Sequence, residues 1–356
     1  MTPTTGSAAD QTARAIWFTA PRTAELREEG VPSAGEGEVI VRGLTSLISA
    51  GTEMNVYRGD VATPQEVNLP TRGGGFPFPI KFAYQIVGEV EEAGPNSGYS
   101  VGDRVFCFHP HQERFNILAA LPGGVSPDLS LVYDVPPDLD PRRAVFANLF
   151  SVAYNTLLDV PVRIGDVVAV SGLGVIGSFA GHLARATAGR LILVDPLQLR
   201  RDRAAWIGAD AAVHPDDAVE AINELSEGRG ADVYVEASGA VGALQGAINA
   251  TGVEGTIGVL SYYGRREATL RLSPEFHLRR QRIVSCFVAM IGSGLQPRWT
   301  MKRRTHEAMR RLATIDTDVL ITHTVSLDEA PGAYEMIDSR PQDTLGILIE
   351  YDQSRP

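Results

Sequence analysis

The chain has 356 residues, enough for roughly two domains, and 44% of them are hydrophobic against 21% charged. That balance excludes a disordered or collagen-like chain. Lys and Arg number 32 against 43 Asp and Glu, a net charge of −11, which argues against a general nucleic-acid binder or an anionic-membrane binder, since both need a basic face. Only Lys81 and Lys302 are lysines. Two cysteines, Cys107 and Cys286, cannot make a disulfide framework or a multi-cysteine zinc site. No apolar run is long enough to span a bilayer, and the polar start from Met1 to Thr12 reads as a frayed tail rather than an export signal. A cytoplasmic enzyme acting on a small molecule is the expectation.

From Ala13 to about Phe150, short β-rich runs stand between Gly and Pro: Arg14–Phe18, Glu38–Arg42, Ile86–Glu92 and Asp103–Phe108. Punctuation this dense predicts a partly open, antiparallel β domain. From about Ser151 to Met290, apolar runs of strand length alternate with helix-length segments: Val167–Val170, Leu191–Val194, Val233–Val235 and Thr256–Leu260. Alternation of this kind predicts an α/β fold with a doubly wound, buried parallel sheet. The last block, Gly292–Pro356, holds an arginine-rich helix candidate at Met301–Ala313, then Ser326–Ile337, then a strand candidate at Leu345–Tyr351.

The most informative stretch is Gly172-Leu173-Gly174-Val175-Ile176-Gly177, which follows an apolar strand and opens a helix candidate at Ser178–Ala188. The next strand ends in Asp195, and 195 − 172 = 23 residues is close to the ~20 of a dinucleotide fold. Gly172 permits the tight turn, Gly174 admits a pyrophosphate to the backbone, and Gly177 allows close helix–strand packing. The unpaired amides at the helix start then face the phosphates. Asp195 is expected to accept from the adenosine ribose and repel a 2′-phosphate, which favours NAD(H) over NADP(H). Arg200, Arg201 and Arg203 follow closely and leave NADP(H) open. Ser261, after the strand Thr256–Leu260, sits where carboxyl-end loops meet a ligand.

The β-rich start, the central dinucleotide fold and the C-terminal return together resemble the medium-chain dehydrogenase/reductase superfamily along nearly the whole chain. Ser49-Ala50-Gly51-Thr52-Glu53, Tyr57-Arg58-Gly59, Val105-Phe106-Cys107-Phe108-His109-Pro110-His111-Gln112 and Ala147-Asn148 resemble its bacteriochlorophyllide dehydrogenase-like branch. The resemblance implies a GroES-like catalytic domain from residues 1–150 and 291–356, a Rossmann domain from 151–290, and a homodimer. It also implies that Glu236-Ala237-Ser238-Gly239 lies beside the nicotinamide ribose. Superfamily members often hold a catalytic zinc, and the expected ligand positions fall here on Ala50, on Ala83-Tyr84-Gln85 and near Asn148. Ala has no donor atom, and neutral Tyr and Asn are poor zinc ligands, so no zinc is expected.

Without a metal, the substrate oxygen needs a hydrogen-bonding or titratable side chain. Tyr84 occupies a vacated ligand position; Lys81 lies three residues earlier but points to the opposite face of an extended run. Thr52 aligns with the hydroxyl that relays protons in alcohol-dehydrogenase relatives. Glu53 is a candidate base or salt-bridge partner. His111, on a strand-like run with His109, is a candidate acid/base or a solvated loop residue. Asn148 is placed to bond the substrate or the nicotinamide amide. The function expected is secondary alcohol–ketone interconversion on a polyfunctional small molecule, with no zinc. Reduction of an activated C=C bond, redox-neutral epimerisation with tightly held NAD, and a non-catalytic dinucleotide-binding protein stand as alternatives. The arginine runs Arg279–Arg282 and Lys302–Arg304 read as solvated helix faces.

Overall fold

A computed structural model describes residues 11–119, 130–296 and 298–354. Met1–Asp10 lie outside them, but Gln11 and Thr12, read from the sequence as tail, pair with Val31 and Gly30. The N-terminal part contains β1 (Gln11–Ala20), β2 (Thr23–Val31), β3 (Glu38–Ile48), α1 (Thr52–Arg58), β4 (Gly73–Gly74), β5 (Ile80–Lys81), β6 (Ile86–Ala93), β7 (Arg104–Cys107), β8 (Arg114–Leu118) and β9 (Val132–Asp134). Two helices follow, α2 (Pro141–Ala144) and α3 (Ala147–Asp159). The central part runs β10 (Val167–Ser171), α4 (Val175–Arg185), β11 (Arg190–Val194), α5 (Gln198–Arg203), β12 (Ala211–Val213), α6 (Ala218–Leu225), β13 (Ala231–Glu236), α7 (Val241–Ala250), β14 (Thr251–Val259), α8 (Glu275–Leu278) and β15 (Arg282–Ser285). The chain closes with α9 (Met301–Leu312), β16 (Ile321–Ser326), α10 (Ala330–Ser339) and β17 (Gly346–Glu350).

The N-terminal strands form two sheets, β2-β1-β5-β4 and β16-β17-β3-β6-β7-β9, with β8 also pairing β3. Apart from the parallel pair β16–β17, the strands of these sheets pair antiparallel. The last strands thus return to the first domain's sheet, where Ile347 and Leu348 lie opposite Ile48 and Leu47. The central sheet is parallel in the order β12-β11-β10-β13-β14-β15, the doubly wound order of dinucleotide-binding folds. All five residues of β10 are buried, as a strand covered by helices on both faces requires.

Three readings are corrected. The helix after the glycine loop starts at Val175, three residues earlier than the sequence suggested. A Cβ on Gly177 would lie 1.8 Å from the carbonyl oxygen of Gly172, so the absence of a side chain lets helix turn and loop touch. Arg282 begins the edge strand β15 rather than closing a helix face. Arg304 is 2% exposed, so the run on α9 is only partly solvated.

Candidate active site

β3 carries Ser46, Ser49 follows its last residue, and the turn at Ala50-Gly51 starts α1 with Thr52 and Glu53 on its first turn. Tyr84, between β5 and β6, is half-buried, and its phenol donates to Ser49 Oγ at 2.6 Å. The Thr52 side chain lies close enough to act on the phenol as well, favouring its ionised form slightly. Burial, with the Glu53 charge adding to it, pushes the Tyr84 phenol above its ordinary value of 10. Three hydroxyls therefore meet at one point, and the phenol keeps its proton at neutral pH. Ser49 was quoted in the sequence motif without a role; nothing but the fold brings it to Tyr84, 35 residues away.

Glu53 and His111 converge, but in the interior rather than at the surface. Glu53 is 0% and His111 1% exposed. Glu53 Oε2 accepts from the Ser49 amide at 3.0 Å, and Oε1 accepts from His111 Nε2 at 3.0 Å and from the Tyr334 hydroxyl. His111 Nδ1 bonds Ser46 Oγ at 2.8 Å, and Ser46 Oγ lies 2.9 Å from the Tyr351 hydroxyl. This buried network ties the hydroxyl cluster to α10 and to the chain end after β17. His111 and His109 lie in the irregular segment between β7 and β8, not on a strand. His109 stacks on Phe115 at 3.8 Å and, through burial and nearby Lys81, is pushed down to about 3. Lys81 bonds Glu29 at 2.5 Å and Gln112 at 2.8 Å, which commits it away from Tyr84. Asn148 is buried on the first turn of α3.

The donors at the vacated metal positions do not fit zinc. Ala50 offers a methyl group, and Tyr84 and Asn148 offer neutral oxygens. Gln85 donates Nε2 to Leu47 O at 2.8 Å, leaving a buried Oε1 without a partner. An amide oxygen suits harder ions than zinc, which takes thiolate, imidazole and carboxylate. Among the described residues no group of three or more His, Cys, Asp and Glu is placed to hold a metal.

The glycine loop does fit a dinucleotide. Gly172 has φ +85°, a left-handed value that favours glycine, and a Cβ there would lie 2.4 Å from Ser238 Cα. Nothing lies within 4 Å of a Cβ built on Gly174, so the backbone is open to a ligand at the α4 N-terminus. The first-turn amides, Val175 to Gly177 after Leu173, have no intrahelical acceptors. Asp195 is 1% exposed: Oδ2 accepts from the Leu173 amide at 2.7 Å and Oδ1 from the Leu197 amide at 2.8 Å. The sequence placed it toward a ribose; here it braces the glycine turn and presents almost no surface. Arg200 lies 3.8 Å from that carboxylate. Arg201 and Arg203 hold backbone carbonyls of Asp195, Val319 and Ile321.

At the carboxyl ends of β13 and β14, Ser238 donates its amide at 2.8 Å and its hydroxyl at 2.5 Å to Glu236 Oε1. Tyr263 donates to Glu236 Oε2 at 2.5 Å, and Ser261 Oγ accepts from the Gly239 amide at 2.8 Å. Sequence reasoning missed Glu236 and Tyr263 as a pair, because their partnership spans a β–α–β unit. The loop after β14 reaches α1: Asn55 Nδ2 donates to Tyr262 O at 3.3 Å, and the Arg265 amide donates to Asp60 O at 3.1 Å. The nucleotide loops and the helix bearing Thr52 are thus in direct contact.

Residues 175–303 match the family model described as zinc-binding dehydrogenase. The chain is 29% identical over 353 residues to D-guloside 3-dehydrogenase of Escherichia coli (strain K12), covering 94% of this chain and 98% of that one. It is 25% identical to sorbitol dehydrogenase of Halalkalibacterium halodurans, over 88% and 92% of the two chains. Its fold matches 2R,3R-butanediol dehydrogenase from Bacillus subtilis with a TM-score of 0.76 at 19% identity, over 96% of this chain and 100% of that one. A Rossmann sheet joined to a GroES-like domain is the fold of these alcohol dehydrogenases, and the chain is similar to dehydrogenases along almost its full length.

Proposed function

We propose that this enzyme is a zinc-independent, NAD(H)-dependent oxidoreductase that interconverts a secondary alcohol and a ketone on a polyfunctional small molecule of secondary metabolism. The observation that carries the reading is the meeting of the Tyr84, Ser49 and Thr52 hydroxyls at positions whose donors do not suit zinc. Relatives named for oxidising guloside and sorbitol support a secondary-alcohol substrate. The resemblance of segments such as Ser49–Glu53 to the bacteriochlorophyllide dehydrogenase-like branch supports the zinc-independent reading.

NAD(H), when bound, donates or accepts the hydride. In the reductive direction Tyr84 turns its O–H from Ser49 to the carbonyl oxygen and transfers the proton as the alkoxide forms, and the partly exposed Thr52 hydroxyl relays a proton from water to the phenolate, releasing hydroxide to solvent. Asn148 fixes the substrate or the nicotinamide amide. Glu53 and His111 act from behind, holding Ser49 and the start of α1. The Asp195 charge beside the glycine turn disfavours a 2′-phosphate, and Arg201 and Arg203 are spent on carbonyls, so NAD(H) is preferred. A homodimer forms along the edge strand β15, where Ile283 is exposed, as are Phe287 and Met290 in the segment that follows.

The test is turnover of purified enzyme with NAD+ and a panel of cyclic and acyclic secondary alcohols, before and after a strong chelator. NADH formation that survives chelation is expected. Activity lost on chelation and restored by zinc sinks the proposal, and a saturated ketone made from an enone with NADH moves it to C=C reduction.

A further inference from the structure

The helix run Lys302-Arg303-Arg304 hides a buried cation that neither the hydroxyl cluster nor the glycine loop uses. Arg304, on the first turn of α9, is 2% exposed. Its Nη1 donates to Asn155 Oδ1 at 2.6 Å and to Val288 O at 2.6 Å, while Nε is buried without a partner. Among the described residues no carboxylate lies within salt-bridge distance of it. Asn155 relays the charge instead: its Nδ2 donates to Asp159 Oδ2 at 2.8 Å and to Phe287 O at 3.4 Å. Asn155 and Asp159 stand one turn apart on α3, the helix that begins at Ala147-Asn148.

Two helices therefore grip two successive carbonyls, those of Phe287 and Val288, in the segment that leaves β15. That segment departs from the carboxyl end of the parallel sheet, with the Cys286 amide still bonded to Val259 O at 2.9 Å. Ligands of doubly wound sheets lie outside the carboxyl ends of the strands, across the switch in strand order. Here the switch lies between β10 and β13. Gly172 and Gly174 open on the β10–β11 side of that switch, so the adenosine half of the proposed dinucleotide falls there and the other half over β13, β14 and β15. Burying a guanidinium without a direct carboxylate is costly, and an apolar side chain would fill the same place more cheaply. A carbonyl clamp is what the charge supplies here.

We propose that Arg304, with Asn155 and Asp159, is a positioning residue that fixes the Cys286–Val288 segment as the wall receiving the nicotinamide ring. The inference rests on the dinucleotide reading above and assigns the clamp to one half of that ligand. Its effect falls on NADH and spares ADP-ribose, which lacks the ring.

The experiment compares full-length wild type, Arg304→Met and Arg304→Lys, titrated with NADH by fluorescence and with ADP-ribose by calorimetry. Arg304→Met should weaken NADH about tenfold or more, as expected for loss of charged hydrogen bonds, and leave ADP-ribose within about twofold. Arg304→Lys keeps the charge and one bond and should fall between, and it carries the test alone if the Met variant does not fold. Equal weakening of both ligands, or no change in either, overturns the clamp. Wild type that binds neither ligand overturns the dinucleotide reading itself, and the two failures are thereby distinguished.

Discussion

In the proposed reaction Tyr84 is the proton donor: burial pushes its phenol up, and its O–H, held by Ser49, is to be handed to the substrate oxygen. Tyr84→Phe should lower kcat by ~10²- to 10⁴-fold, the usual worth of a positioned proton donor, with NADH affinity little changed; steady-state kinetics and NADH titration check both. The donating form is the neutral phenol, which dominates below its raised value. The reductive rate should therefore show no falling limb from this group below pH 10, and a fall near neutrality in wild type that is absent from Tyr84→Phe would contradict the assignment. His109 makes an independent, structural prediction. It is pushed down to about 3 by burial and Lys81, so below 6.5 the unfolded chain binds a proton that the folded chain does not. Stability is complete above 6.5 and falls as pH drops toward 3, by about 1.4 kcal/mol per unit. Between pH 7 and 5, wild type should lose ~2 kcal/mol more than His109→Gln in urea unfolding.

At the scale of elements, the two glycines of the phosphate loop separate fold from binding. A Cβ at Gly177 meets backbone at 1.8 Å, whereas at Gly174 it meets nothing within 4 Å. Gly177→Ala should cost ~1–3 kcal/mol of stability through overpacking and abolish NADH binding. Gly174→Ala should leave thermal stability within ~0.5 kcal/mol yet weaken NADH at least about tenfold, because the methyl group occupies the pyrophosphate's place. Melting curves beside NADH titrations check the contrast. Elements were legible where periodicity and context agreed, as at β10, β11 and α9. Arg282, following Arg279 and Arg280, concealed the edge strand β15, because an edge strand with one solvated face carries charge freely.

For the whole molecule, the C-terminal strands β16 and β17 close the N-terminal sheet, and Tyr334 and Tyr351 thereby complete the network beneath Glu53. The network thus joins chain segments about 280 residues apart in sequence. The exposed apolar side chains beside β15 bear on assembly. Sedimentation should give twice the 38.2 kDa chain mass, and Ile283→Asp, which puts a charge into the paired edge, should return the monomer.

The sequence alone determined the glycine spacing before α4 and the residue types at the positions where the resemblance expects zinc ligands, since both are properties of residue type at fixed offsets. Which hydroxyls meet Tyr84, that Glu53 and His111 face inward, and that Arg304 clamps Val288 were decided by the tertiary structure. Burial and partnership at those sites arise from packing between distant segments, and local composition carries no record of it.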